Sequence, residues 1–489
     1  MKNSLAGIIA PCVLAIAGMA GLVLWATASP SNVDLRTDGL DGVPGLRKEE
    51  PKKQTADNVQ WWSDLRQTLV AWSKWSQRPV LGEPIRGNGV PSQIVGSWPR
   101  FRGQNYDAIA HETVPLARKW PAGGPKKLWS VDLGEGFAAA AVSQGRVYVL
   151  DHIPDADIMR CLSLDDGKEI WRNSYPVVVP PNHGRSRTVP AVVGKYVISL
   201  GPMCQVVCWD ADSGKALWLI DLVIEHGATV PEWYAGQCPL VDVATDRLIL
   251  APGGKDLLIA VDYKTGEVLW ESGNPRGWKM THSSIIPMEF AGRRMYVYCG
   301  SGGVAGVAAE DGSIPWDTTD WRISVATCPS PVPLSDGRVF FCGGYNSGSL
   351  MLQVEDRGDR LSATTLFRRT ARQFGSEQQT PVLLDGYLYG VRQHDKKLVC
   401  LDLEGKEVWN SGRDKFGAAP YMVADGLLYA MNDDGQLTMA EASPSGYHVL
   451  GKTQAIEGGD HAWGPMALVA GRLIVRDMTR MVCLDVGEK

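Results

Sequence analysis

Three carboxylates stand where they could serve as a general base or hold a ligand: Glu232 in VPEWYAG, Glu377 in GSEQQTP and Asp460 in GGDHAWGP. Each lies shortly before a short apolar run, so each belongs to a loop that feeds a strand. Trp233, Trp278 and Trp463 occur in or near the same segments and could supply flat faces for stacking a cofactor or substrate. His183, Arg185, Arg187, His226, His282, Arg322, Arg372 and His461 add imidazole and guanidinium donors suited to an anionic or hydrogen-bonding partner. Asn182 and Asn274 are oxygen donors of the kind calcium takes, and Cys238, His282 and Cys328 are donors for a softer metal. Polar side chains also collect in loops that bind nothing, and a compact thiol often simply fills a core.

The elements that must position these side chains are read from a repeat. CLSLDDGKEIW (161–171), CWDADSGKALW (208–218), AVDYKTGEVLW (260–270), GVAAEDGSIPW (306–316) and VCLDLEGKEVW (399–409) share Gly at the seventh and Trp at the eleventh place. That spacing describes a strand, a tight turn in which Gly takes a positive φ, and a second strand ending on an indole. A further Trp, Trp129 in KKLWSVDL, lacks the preceding strand and turn. The docking residues expected between neighbouring sheets are therefore Trp129, Trp171, Trp218, Trp270, Trp316 and Trp409. Cys161, Cys208 and Cys483 fall where the repeat wants a small apolar side chain.

A second turn, at Gly145, Gly194, Asp246, Gly292, Gly337, Gly386, Gly426 and Gly471, recurs every 40 to 52 residues. This period, with four short strands per unit, predicts an all-β, eight-bladed β-propeller of four-stranded antiparallel blades. The last unit is one strand short and the chain has one strand to spare, at 126–133, so an N-terminal strand is expected to complete the final blade and close the ring. Units five and seven carry Leu366-Phe367 and Val449-Leu450 instead of Trp, which predicts smaller packing groups there.

If the Gly–Trp turns share one face, the segments leading out of each Trp strand, with the links between second and third strands, share the other. Six of the 8 histidines, at 152, 183, 226, 282, 394 and 461, fall on that second face with the candidate carboxylates and arginines. Loops on a rigid ring are where ligands bind.

Composition agrees with an exported globular chain. Of 489 residues 44% are hydrophobic and 21% charged, and a net charge of -5 excludes the basic stripe that nucleic-acid binding requires. Lys2 and an apolar run from Leu5 to Ala26 read as an export signal or membrane anchor over 1–28. Residues 29–97 read as a linker with an amphipathic helix at about 59–78, and 98–489 as the propeller. Cys204 with Cys208 and Cys299 with Cys342 are the disulfide pairs to consider outside the cytoplasm; the first would span about 13 Å on one strand, too far for a bridge.

The Ala-x-Asp-x-x-Thr-Gly-x-x-x-Trp pattern, complete at 260–270, resembles the docking repeat of the pyrroloquinoline quinone (PQQ) repeat propellers, over about 390 residues from WPRFRG onward. That resemblance implies one of two things: a PQQ- and calcium-dependent alcohol or sugar dehydrogenase, or a non-catalytic scaffold similar to BamB. The chain has neither the adjacent cysteines frequent in the dehydrogenases nor a Cys-x-x-Cys-His haem site. The resemblance therefore favours a scaffold at the cell envelope that binds a protein or glycan. Were it instead a dehydrogenase, Glu232, Glu377 or Asp460 would be its base.

Overall fold

Gly–Trp turns join the outer strands of five of the eight sheets because only Gly accepts the αL geometry with another blade pressed against it. Gly167, Gly214, Gly266 and Gly312 have φ between 69° and 80°. A side chain on any of them would run into the indole of the preceding blade; a Cβ on Gly214 would sit 2.6 Å from Trp171.

The structure is a computed structural model that describes residues 79–358 and 361–488. The expected apolar signal or anchor and the expected helix at 59–78 lie outside the described residues. Eight antiparallel sheets follow one another along the chain and close as an eight-bladed propeller. Blade one comprises Ala141–Ser143, Arg146–Ile153, Ala156–Ser163 and Glu169–Pro176. Blade eight comprises Gly464–Val469, Arg472–Arg476 and Arg480–Asp485, and Lys126–Asp132 is its outer strand, with Trp129 opposite Cys483. The ring is thus closed by the N-terminal strand. Arg476, 1% exposed, fastens the joint by donating to the carbonyls of Ala138 and Gly134 at the entrance to blade one.

The docking tryptophans repeat one geometry. In their own blades Trp171, Trp218 and Trp129 face Cys161, Cys208 and Cys483. Across the interface the indole N–H donates to a carbonyl of the next blade: Trp129 to Leu164 (3.0 Å), Trp171 to Ala211 (2.9 Å), Trp218 to Tyr263 (3.0 Å), Trp270 to Ala309 (3.2 Å) and Trp409 to Ser443 (2.9 Å). Trp316 departs from the pattern: it lies over Gly306 of its own blade, and its buried N–H has no partner. Blade five, which it faces, has no Gly–Trp turn.

The two units without Trp are filled in different ways. Phe367 takes the position in blade five, opposite Met351, and packs on Gly405 of blade six. In blade seven the position belongs to Gly451, opposite Met439, and Trp120 from the preceding segment lies over it and stacks on Tyr429 at 6.4 Å. A smaller packing group is therefore found in blade five, whereas in blade seven an indole arrives from elsewhere in the chain.

The nine described cysteines are free thiols, which corrects the pairings considered for Cys204 with Cys208 and Cys299 with Cys342. Two segments before residue 126 are built into the ring. Ile85–Arg86 pairs with Arg172 and Trp171 on the outer edge of blade one. Residues 98–110 cross the centre of the turn face: Trp98 bridges to Val142 of blade one, and Arg100 donates to the Val241 carbonyl of blade three. Arg102 then donates to the Thr380 and Pro381 carbonyls before blade six, and Ile109–Ala110 runs parallel to Val423–Ala424 of blade seven. Among the described residues no helix is long and apolar enough to cross a membrane.

Candidate functional site

The inner strands are laced together near the loop face. Val189 N–H donates to the Cys238 thiol, Cys238 N–H to Ser284, Ser284 N–H to Ser330, and Ser330 N–H to Thr380, each across one blade interface at 2.7–3.2 Å. Gln379 continues the belt by donating to the Ala418 and Trp463 carbonyls. These side chains are spent on holding neighbouring blades in register, which makes the floor and walls of the central funnel rigid.

Above the belt a cavity of about 270 Å³ opens on the loop face. Phe101, carried by the segment that crosses the turn face, reaches it from below. Two aromatic pairs wall it. Phe137 stacks on Trp463 with ring centres 5.1 Å apart, and Trp233 lies nearly parallel to Tyr345 at 6.5 Å. Arg187 lies over Phe137 at 5.2 Å and binds the loops together, giving Nε–H to the Trp233 carbonyl and Nη2 to the carbonyls of Asn182 and His183. Burial lowers its pKa to about 10.

His282 lies beneath Trp233, with ring centres 6.4 Å apart. Burial, reinforced by the Arg187 charge, lowers its pKa to about 4, so it is a neutral imidazole at physiological pH. Cys328 and Cys238 line the same cavity, their thiols pushed up by burial to about 12 and about 11. They are therefore poor nucleophiles.

Of the sequence-derived candidates, Glu377, Trp233, Trp463, His183, Arg187 and His282 converge on this cavity. Cys238 and Cys328 join them, as described above, and the others named here are elsewhere. Glu232 is exposed outside the lining, with its backbone carbonyl accepting from Asn182. Asp460 is exposed and pairs with His461, whose ring stands edge-on to Trp463. Trp278 is buried between blades three and four, against Gly300–Gly303. Arg185 pairs with Glu135 at 3.3 Å, while Arg322 and Arg372 are exposed on loops. His226, at the end of the short helix Leu222–His226, is paired with buried Asp256 at 2.8 Å.

Phe101, Phe137 and Tyr345 are cavity residues that neither residue type nor spacing singles out. For Phe101 a signal is nonetheless present, since WPRFRG places an aromatic between two arginines that grip opposite blades.

A calcium–quinone centre is not matched by these residues. Glu377 is the only carboxylate of the lining, against the six to eight oxygen ligands calcium takes. Asn274 donates its amide to Gly254 and Trp278 instead. Cys238, His282 and Cys328 share the cavity without converging: among the described residues, only His226, Asp256 and Glu271 bring three such ligand atoms within 4.8 Å of one another. The ammonium of Lys255, 3.2 Å from Glu271 and 3.7 Å from Asp256, already supplies a positive charge there.

Fold and site together define a closed eight-bladed propeller of PQQ-type repeats with an aromatic cavity on its loop face. The chain belongs to the family described as outer membrane protein assembly factor BamB, whose model matches residues 119–201 and 154–411. It is similar to the outer membrane protein assembly factor BamB of Moranella endobia (strain PCIT), at 23% identity over 267 residues. That match takes in 53% of this chain and 65% of the relative, so the chain spans less than two thirds of the relative's length. Among solved structures, BamB from Moraxella catarrhalis matches at 13% identity with a TM-score of 0.50, over 74% of this chain and 99% of that one, and this supports the fold alone. The quinohemoprotein alcohol dehydrogenase from Comamonas testosteroni matches at 12% identity with a TM-score of 0.42, over 80% of this chain and 81% of that one.

Proposed function

We propose that this protein is an extracytoplasmic, non-catalytic platform that holds a protein partner of the outer-membrane assembly machinery on its loop face, with the N-terminal apolar run as export signal or anchor. The observation that carries the reading is the contrast between a rigid belt and the exposed loops it holds. Rigid loops meet a partner without a large ordering cost, which is what a scaffold needs. A protein fits better than a glycan because the Arg187 guanidinium is already committed to loop carbonyls and is not free to bind sugar hydroxyls. Membership of the BamB family supports the same reading.

The test is site-directed photo-crosslinking of the full chain in cells. A photoreactive residue at Arg372 on the loop face is expected to trap an outer-membrane assembly protein, identified by mass spectrometry, whereas one at Lys264 on the turn face is not. Trapping from Lys264 alone, or from neither position, overturns the reading. Arg187 is unsuitable for such a test, because its guanidinium is part of the loop structure.

A further inference from the structure

Charge is unevenly divided over the loop face. On the loops leading into blades four to seven, Lys279, Arg322, Arg372, Arg413 and Lys415 are exposed, and among the described residues none has an ion-pair partner. Several acidic groups of the same region are engaged, whereas Glu377 of the cavity wall has no ion-pair partner among the described residues. Asp317 takes two bonds of 2.7 Å from Arg276, Asp414 takes Lys452 and Tyr447, and Asp320 accepts from Thr365. The loops leading into blades eight and three instead expose Glu457 and Glu232, while Asp460 and Glu135, on the loops into blades eight and one, are exposed but paired with His461 and Arg185. A net charge of -5 for the whole chain conceals this separation.

The basic side also exposes apolar surface next to the cavity. Tyr345 is 40% exposed while it stacks on Trp233, and Val325, beside Ala326 of the cavity wall, is 50% exposed. Tyr345 and Asn346 adopt left-handed backbone with φ of 54° and 62°. They are the central pair of the tight turn closed by Ser347 N–H on the Gly344 carbonyl, a hairpin geometry that requires positive φ at both places and presents Tyr345 at the loop face.

We propose that this side of the loop face receives an extended, acidic segment of a partner protein, which seats one aromatic side chain against Trp233 and Tyr345 and lays carboxylates along Arg322 and Arg372. The proposal rests on the platform reading and names the chemistry of its partner. At about 270 Å³ the cavity has room for an aromatic side chain of a partner. A neutral sugar chain would leave the five cations uncompensated. A long polyanion would run onto the acidic side and be repelled.

The experiment titrates the full chain with an N-acetylated, C-amidated heptapeptide of Asp and Glu around a central Phe. Two controls accompany it, the same peptide with central Ala and one with Lys in place of each acid. The Phe peptide is expected to bind and to weaken with added salt, the Ala peptide to bind at least tenfold more weakly, and the Lys peptide not to bind. Charge reversal by Arg322→Glu with Arg372→Glu is expected to weaken binding more than tenfold with an unchanged melting temperature, since both side chains are exposed. Equal binding of Phe and Ala peptides, indifference to the double reversal, or no binding at millimolar peptide each overturns the proposal. If the peptides fail while Arg372 still crosslinks an assembly protein, the platform stands and its partner is not an acidic segment with an aromatic anchor. If both fail, both fall.

Discussion

The two faces of the ring are built on different rules. On the turn face the same pair of residues solves the same problem at successive interfaces: a glycine with no side chain lets an indole close on it, and the indole donates to the next blade. On the loop face no two segments are alike, and Phe137, Arg187, Trp233, Tyr345, Glu377 and Trp463 come from six different links. Repetition therefore builds the ring, and departure from repetition builds the site. A substitution on the first face should register in stability, and one on the second mainly in recognition.

The sharpest way to break that contrast is at the glycines. Gly214→Ala places a methyl group against Trp171 in an αL backbone and is expected to cost about 3 kcal/mol by denaturant unfolding. Gly386→Ala carries the same backbone penalty, at φ 80°, in open space and is expected to cost only about 1–2 kcal/mol. Equal losses would show that the docking contact adds nothing beyond backbone strain.

A pH-dependent effect is expected at His282. Its pKa is lowered from 6.5 to about 4, so the unfolded chain binds a proton in that window before the folded chain does. Stability is therefore complete above pH 6.5 and falls as the pH drops toward 4, by at most about 1.4 kcal/mol per pH unit. His282→Gln is expected to flatten that part of the unfolding profile, and an unchanged slope would mean that the imidazole titrates freely.

The smallest effect is expected at Trp316. Its N–H is buried without a partner, so Trp316→Phe removes an unsatisfied donor and should change stability by less than about 1 kcal/mol. Trp129→Phe instead strands the Leu164 carbonyl and should cost about 2 kcal/mol. A reversal of that order would contradict the indole-to-carbonyl account of blade docking.

The same rules explain what could be read in the amino acids. Blade number and the docking indoles, Trp316 apart, were legible because each is stated several times over in one spacing, and closure by 126–133 because the last unit lacked a strand and the chain had one to spare. The strap that carries Trp120 into blade seven was not, since Gly451 gives no sign of the side chain that covers it. The cavity was legible in part. Loop position alone located Glu377, Trp233 and His282, but could not tell them from Trp278, which faces inward between blades, or from Asp460, which faces outward. Phe137 and Tyr345 belong to links with no repeated spacing, and only the closed ring brings them together.

The segment at 98–110 gives the molecule a sense of direction. Because it spans the middle of one side and holds Phe101 up toward the other, whatever settles in the cavity rests on a side chain supplied from the far side of the ring.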